Sequence, residues 1–130
     1  MSPLAVVKSF YEALGRGDVG AVVALFADKI EWTEAKGFPY HKGTWRTSQE
    51  VVDNLFIPLG RDWDGFLACS TAFISEADRV VAFGTYRGIN RASGRTLDAP
   101  FAHHWRIVDG RVTSFVQYTD TALVLEAMSS

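Results

Sequence analysis

Between Pro100 and Asp120 the chain reads PFAHHWRIVDGRVTSFVQYTD, two strand-like runs around Asp109-Gly110. Nothing else in the sequence constrains the fold so tightly. A strand repeats every two residues, so the loop decides which side chains share a face, and slipping the register by one residue exchanges the faces. A two-residue Asp-Gly loop sets Val108 opposite Arg111 and His104 opposite Phe115. A three-residue loop closed by a left-handed Gly110 and a bulge instead sets Ile107 opposite Arg111, His103 opposite Phe115 and Phe101 opposite Gln117. Asp-Gly suits either turn. We take the three-residue form, because it gathers Phe101, His103, Trp105, Phe115, Gln117 and Thr119 on one polar-aromatic face suited to lining a cavity. Ala102, His104, Arg106, Val116 and Tyr118 fall on the other face, which suits packing on a neighbouring element or subunit.

The preceding chain supplies helices and then more strands. Ser2-Pro3 caps a first helix carrying Val6, Val7, Phe10, Tyr11 and Leu14, which ends at Gly15 to Gly17. Asp18 caps a second helix through Val22, Val23, Leu25 and Phe26. Ile30 to Glu34 alternates as a strand, with Ile30, Trp32 and Glu34 on one side. Gly37 to Gly43 reads as a loop over a pocket mouth, where Tyr40 and His41 either close on a ligand or pack as a surface turn. Thr47 and Glu50 form a capping box for a third helix that Pro58 stops. Phe66 to Ser75 and Arg79 to Asn90 read as strands, with small Ala82 and Gly84 leaving volume unfilled. Asp120 caps a last helix, Thr121 to Met128. Helices followed by antiparallel strands indicate an α+β domain, a curved sheet wrapped around the helices with an internal pocket.

With 130 residues the chain is read as one domain, 1–130, burying roughly two-thirds of the surface it exposes when unfolded. Thirteen basic and fifteen acidic residues are spread without runs, which leaves no footprint for nucleic acid or an anionic membrane. No stretch is apolar enough to span a bilayer, no signal-peptide pattern opens the chain, and Cys69 has no partner; a cytoplasmic location is expected. No HxH, HExxH or CxxC spacing and no glycine-rich phosphate loop occurs, so neither metal nor organic cofactor is expected.

The segments FYEALGRGDVGAVVALFADKIEW, GTWRTSQEVV, PFAHHWRIVDGRV and FVQYTDTA, in this order, resemble the nuclear transport factor 2-like superfamily, in its SnoaL-like and ketosteroid-isomerase-like branch. The resemblance covers Val6 to Ala127. It implies a cone-shaped α+β barrel, commonly dimeric, whose open end admits a small hydrophobic molecule. On this resemblance Glu34 falls at the ketosteroid isomerase general base, and Phe10, next to Tyr11, falls at its oxyanion tyrosine. His103 falls at the protonated aspartate of the oxyanion hole. Gln117 falls where limonene epoxide hydrolases and SnoaL-type cyclases carry a catalytic aspartate. The changes at Phe10, His103 and Gln117 argue against authentic steroid isomerisation and epoxide hydrolysis.

The candidate catalytic pair is therefore Glu34, a carboxylate raised by partial desolvation beside Trp32, and His103, an imidazole able to relay a proton. Trp32, Tyr40, Phe101, Trp105, Phe115 and Gln117 are the candidate substrate-binding residues, Gln117 as an orienting amide. Glu34 at a strand end, pointing into solvent or paired with Lys36 or Lys42, and His103 as a purely orienting wall residue, are the structural alternatives. The expected activity is cofactor-independent isomerisation, cyclisation or dehydration next to a carbonyl, with a non-catalytic ligand-binding or assembly module as the other reading.

Overall fold

The computed structural model describes residues 1–130. Helix α1 spans Pro3–Gly15 and starts where Ser2 Oγ accepts from the Ala5 amide, with proline in the first turn. Its buried face, Val6, Val7, Phe10, Tyr11 and Ala13, lies in the concavity of a six-stranded sheet. Helix α2 is short, Val19–Val23, capped by Asp18. The chain then turns directly into β1, Phe26–Thr33, so Phe26 opens a strand instead of closing a helix. The remaining strands are β2 (Thr44–Trp45), β3 (Trp63–Glu76), β4 (Arg79–Asn90), β5 (Thr96–Val108) and β6 (Arg111–Thr119). Their order is β2-β1-β6-β5-β4-β3, and every pair is antiparallel except β1 with β6. Helix α5, Thr121–Met128, follows β6 under an Asp120 cap. The fold is thus α+β, with N-terminal helices cradled by a curved, unclosed and mainly antiparallel sheet.

The β5–β6 hairpin corrects the expected turn. Asp109 and Gly110 both adopt positive φ, 52° and 74°, the signature of a two-residue type I′ loop, and Val108 faces Arg111. One residue further on, Ile107 faces Val112 but Arg106 faces Ser114, which leaves Thr113 as a bulge whose hydroxyl donates to the Arg106 carbonyl at 3.2 Å. The bulge restores the parity that the short loop would have inverted. Phe101, His103, Trp105, Phe115 and Gln117 therefore do share the buried face, but the partners differ from expectation: His103 faces Gln117, Trp105 faces Phe115 and Phe101 faces Thr119.

Two further expectations are overturned. Pro58 does not end the third helix. Helix α3 (Ser48–Val51) runs through a π-helical turn (Val52–Phe56) into α4 (Ile57–Asp62), with Pro58 in the first turn of α4. There its missing N–H costs little, and the wider turn accommodates the ring. Gly84 does not leave space unfilled. A Cβ built on it would lie 2.2 Å from the Cys69 carbonyl oxygen and 2.6 Å from the Phe101 ring, so the glycine is the condition for β3 and Phe101 to approach.

The opposite face of the sheet is uncovered. Ile74, Val81 and His104 form one row across it, and Phe83, Ala102 and Tyr118 another; Ile74, Phe83 and Tyr118 are exposed. No helix is long and apolar enough to cross a membrane.

Candidate functional site

A cavity of about 330 Å³ opens between the concave sheet face, helix α1, the π-helical turn and helix α4, within the range of small-molecule sites. Apolar rings and aliphatic side chains form most of its wall, including Phe10, Trp32, Phe38, Trp63, Phe66 and Phe115. Its polar groups are few: Glu34, Tyr86, His103, Gln117 and, at the rim, Arg91. Of these, Glu34, His103 and Gln117 are buried, although charged and amide side chains seldom are.

Glu34 lies just past the end of β1, on the face that the strand's alternation gives to Ile30 and Trp32. It pairs with neither Lys36 nor Lys42. Its Oε2 is buried without a hydrogen-bond partner, as is the neighbouring Trp32 indole N–H, which opposes the carboxyl's rise in pKa without closing a good hydrogen bond. Loss of hydration dominates and pushes the carboxyl up to about 8. At neutral pH Glu34 is mostly the neutral acid.

His103 sits on β5 between two tyrosines. Tyr11 Oη lies 2.6 Å from Nδ1, and Tyr86 Oη 2.5 Å from Nε2. The Phe101 ring stacks on the imidazole at 4.0 Å. Burial pushes His103 down to about 3 and holds both phenols above their ordinary value, so the imidazole is neutral and both tyrosines keep their protons.

Fixed donors stand at both ends of this chain of hydrogen bonds. The Trp105 indole donates to Tyr11 Oη at 3.1 Å. The Ala35 amide donates to Gln117 Oε1 at 3.0 Å, which leaves Gln117 Nε2 to donate to Tyr86 Oη at 2.8 Å. Each phenol oxygen thus already accepts once. A neutral imidazole has one donor and one acceptor, so it takes a proton from one tyrosine and gives its own to the other. One phenolic proton is then left over. Were it that of Tyr11, it would point into an enclosure of Phe10, Phe73, Phe101 and Trp105 rings, at a cost of about 1–3 kcal/mol for an unmade bond. Tyr86 instead lines the cavity, near enough to Glu34 for the carboxylate charge to disfavour its ionisation. The favoured tautomer of His103 therefore carries hydrogen on Nε2, and the spare O–H belongs to Tyr86.

The structure brings Glu34, Trp32, His103, Phe115 and Gln117 to one cavity. It does not place Glu34 and His103 in contact, since both imidazole nitrogens are taken by tyrosines. Phe101 and Trp105 stand behind the wall and hold His103 and Tyr11. Tyr40 is turned away: its hydroxyl donates to Asp62 at 2.7 Å and accepts from the Trp63 indole at 3.1 Å, which ties the 37–43 loop down, while Phe38 takes the place at the cavity. Tyr86 escaped sequence reasoning as a site residue. Its signal was present, because it continues the inward alternation of Val80 and Ala82 on β4, but the register pairs it with Ala99, and its long phenol reaches His103 only along the curved face. No group of three metal-ligating side chains occurs.

Residues 7–115 match the model of the SnoaL-like domain, and the chain belongs to that family. It is similar over its whole length to an NTF2-like protein from Burkholderia thailandensis, with 39% identity, 99% of that chain covered and a TM-score of 0.95. An NTF2-like protein of unknown function from Burkholderia pseudomallei shares 28% identity, with both chains fully covered (100%) and a TM-score of 0.90. TerC, co-crystallised with polyporic acid, shares the fold at 23% identity over 99% of this chain and 100% of its own, with a TM-score of 0.88. No curated protein matches the sequence.

The buried pair predicts an asymmetric pH dependence of stability. Glu34 titrates at 4.5 when unfolded and about 8 when folded, so its contribution is complete below 4.5 and is lost as pH rises through 8. His103 titrates at 6.5 unfolded and about 3 folded, so its contribution is complete above 6.5 and is lost as pH falls through 3. The two slopes cancel between 4.5 and 6.5. From there to pH 8 only the Glu34 slope remains, a fall of roughly 1–2 kcal/mol. Urea unfolding across that window should show the fall in the wild type and a flat profile in Glu34→Gln; matching profiles would remove Glu34 as its source.

Proposed function

We propose that this cavity performs cofactor-independent proton transfer next to a carbonyl of a small hydrophobic substrate, the chemistry of an isomerase, cyclase or dehydratase. The observation that carries the reading is a carboxyl with an unpartnered oxygen, buried in an apolar cavity that Tyr86 also lines. Binding of polyporic acid by TerC, and of trimethylamine by a hypothetical protein from Catenulispora acidiphila with the ketosteroid isomerase-like fold, supports a small-ligand role for the hollow.

In this reading ionised Glu34 abstracts the proton and returns it at another position. Its raised pKa makes it a strong base when ionised, and the proton it carries exchanges with solvent when the cavity opens between turnovers. The developing oxyanion is held by the Tyr86 O–H. A donor already aimed at that oxygen costs no reorganisation during reaction. His103 is then a positioning residue: its Nε2–H and the Gln117 amide both donate to Tyr86 Oη, fixing the phenol and making its proton a better donor. Trp32 and Phe115, stacked at 3.8 Å, form a flat wall for the substrate. The non-catalytic reading shares every contact but gives Glu34 no proton to move.

Deuterium exchange into the α-position of cyclic ketones in D₂O, followed by ¹H NMR, separates the two. The wild type should accelerate exchange, with a rate that rises with pH to a plateau above about 8, where Glu34 is ionised. Glu34→Gln should lower kcat about 10²- to 10⁴-fold, and Tyr86→Phe about 10²- to 10³-fold. Turnover that survives both substitutions would leave only binding.

The uncovered sheet face supports a homodimer in the same reading, because an apolar patch of this kind is typical of an interface. Sedimentation should find a dimer that Phe83→Glu converts to monomer; a monomeric wild type would refute it.

A further inference from the structure

One carboxyl and one guanidinium line the cavity, Glu34 at its buried end and Arg91 at its exposed rim. Arg91 makes no ion pair, whereas arginines 16 and 61 in the surrounding surface are neutralised by Asp18 and Asp62. The backbone beneath Arg91 is firmly held. Its amide donates to the Asp62 carbonyl at 2.9 Å, and the turn that follows is closed by buried Asn90, whose side chain accepts from the Ser93 amide, and by Ser93 Oγ donating to the Ala127 carbonyl. The rest of the rim, Gly17, Val19, Gly60 and Gly65, carries no charge and little bulk. A cation carried on a fixed backbone thus overlooks the opening of an apolar cavity and makes no ion pair with its own chain.

We infer that the ligand is an apolar carboxylate, its hydrocarbon body in the cavity and its carboxylate at the rim against the Arg91 guanidinium. The inference rests on the reading of the cavity as a substrate site and adds the class of substrate it selects. A guanidinium fork matches a planar carboxylate with two parallel N–H···O bonds. A ligand seated in the opening also displaces water around the pair, so the attraction exceeds that of an ordinary surface ion pair. Near neutral pH Glu34 is mostly uncharged, so it does not repel the anion. At the other end the substrate carbonyl meets Tyr86. The arrangement therefore orients the molecule as well as selecting it.

Calorimetric titration with 2-naphthoate and its neutral isostere 2-naphthamide provides the test. The wild type should bind the carboxylate about five- to tenfold more tightly than the amide, a margin that shrinks with added salt. In Arg91→Gln the carboxylate should weaken to the level of the amide while amide binding stays unchanged. Arg91 is exposed, so this variant should keep the wild-type circular dichroism and unfolding midpoint. Equal affinities in the wild type, a preference that persists in Arg91→Gln, or failure of both probes to bind overturns the assignment. Failure of the proton-transfer reading looks different: Glu34→Gln would then leave exchange intact, whatever the variant at position 91 does to carboxylate binding.

Discussion

An imidazole without access to water, gripped at both nitrogens by phenols, is the constraint on which this site depends. Burial makes His103 neutral, and neutrality forces it to give one hydrogen bond and take one. The tyrosines are constrained in turn by the Trp105 indole and the Gln117 amide, and Gln117 by the Ala35 backbone beside Glu34. The hydrogen-bond chain thus runs from beneath helix α1 across β5, β4 and β6 to the end of β1. Its consequence is a single phenolic O–H left for whatever occupies the cavity. Partly satisfied buried networks are costly, so the free ends here, on Tyr86 and Glu34, mark where a ligand completes the set.

The fold serves that chain through parity. Every inward side chain of the β5–β6 hairpin depends on whether the loop and the bulge together preserve the face assignment. Asp109 and Gly110 choose the short loop, and Thr113 adds the residue that compensates for it. Gly84 allows Phe101 close enough to β4 to stack on His103 and keep water from the imidazole. The π-helical turn ahead of Pro58 belongs to the same construction, since it prolongs the helical wall that carries Leu55, Phe56 and Leu59 to the cavity.

Period-two alternation made much of this legible in the sequence. Trp32 and Glu34, then Phe101, His103 and Trp105, then Phe115 and Gln117, are buried where alternation puts them. Alternation is insensitive to a shift of two residues, however, so it could give the face of His103 without giving Gln117 as its cross-strand partner. The same limit concealed Tyr86, whose inward orientation was readable but whose meeting with His103 depends on pairing between β4 and β5. Tyr40 was misplaced for another reason: turn composition locates a loop without saying which aromatic ring faces inward, and Asp62, far along the chain, decides it. The alternating polar-aromatic face pointed to the cavity and the family resemblance agreed with it; the particular chemistry of its wall came from contacts among residues distant in sequence.

The neutrality and tautomer of His103 are the centre of the account, and ¹⁵N NMR of the imidazole reads both directly. The shifts should show Nε2 protonated and Nδ1 unprotonated, unchanged through the ordinary titration range of an imidazole and until the pH nears 3. A ring that becomes doubly protonated near its ordinary pH of 6.5, or that carries its proton on Nδ1, would contradict the hydrogen-bond order and with it the role given to Tyr86.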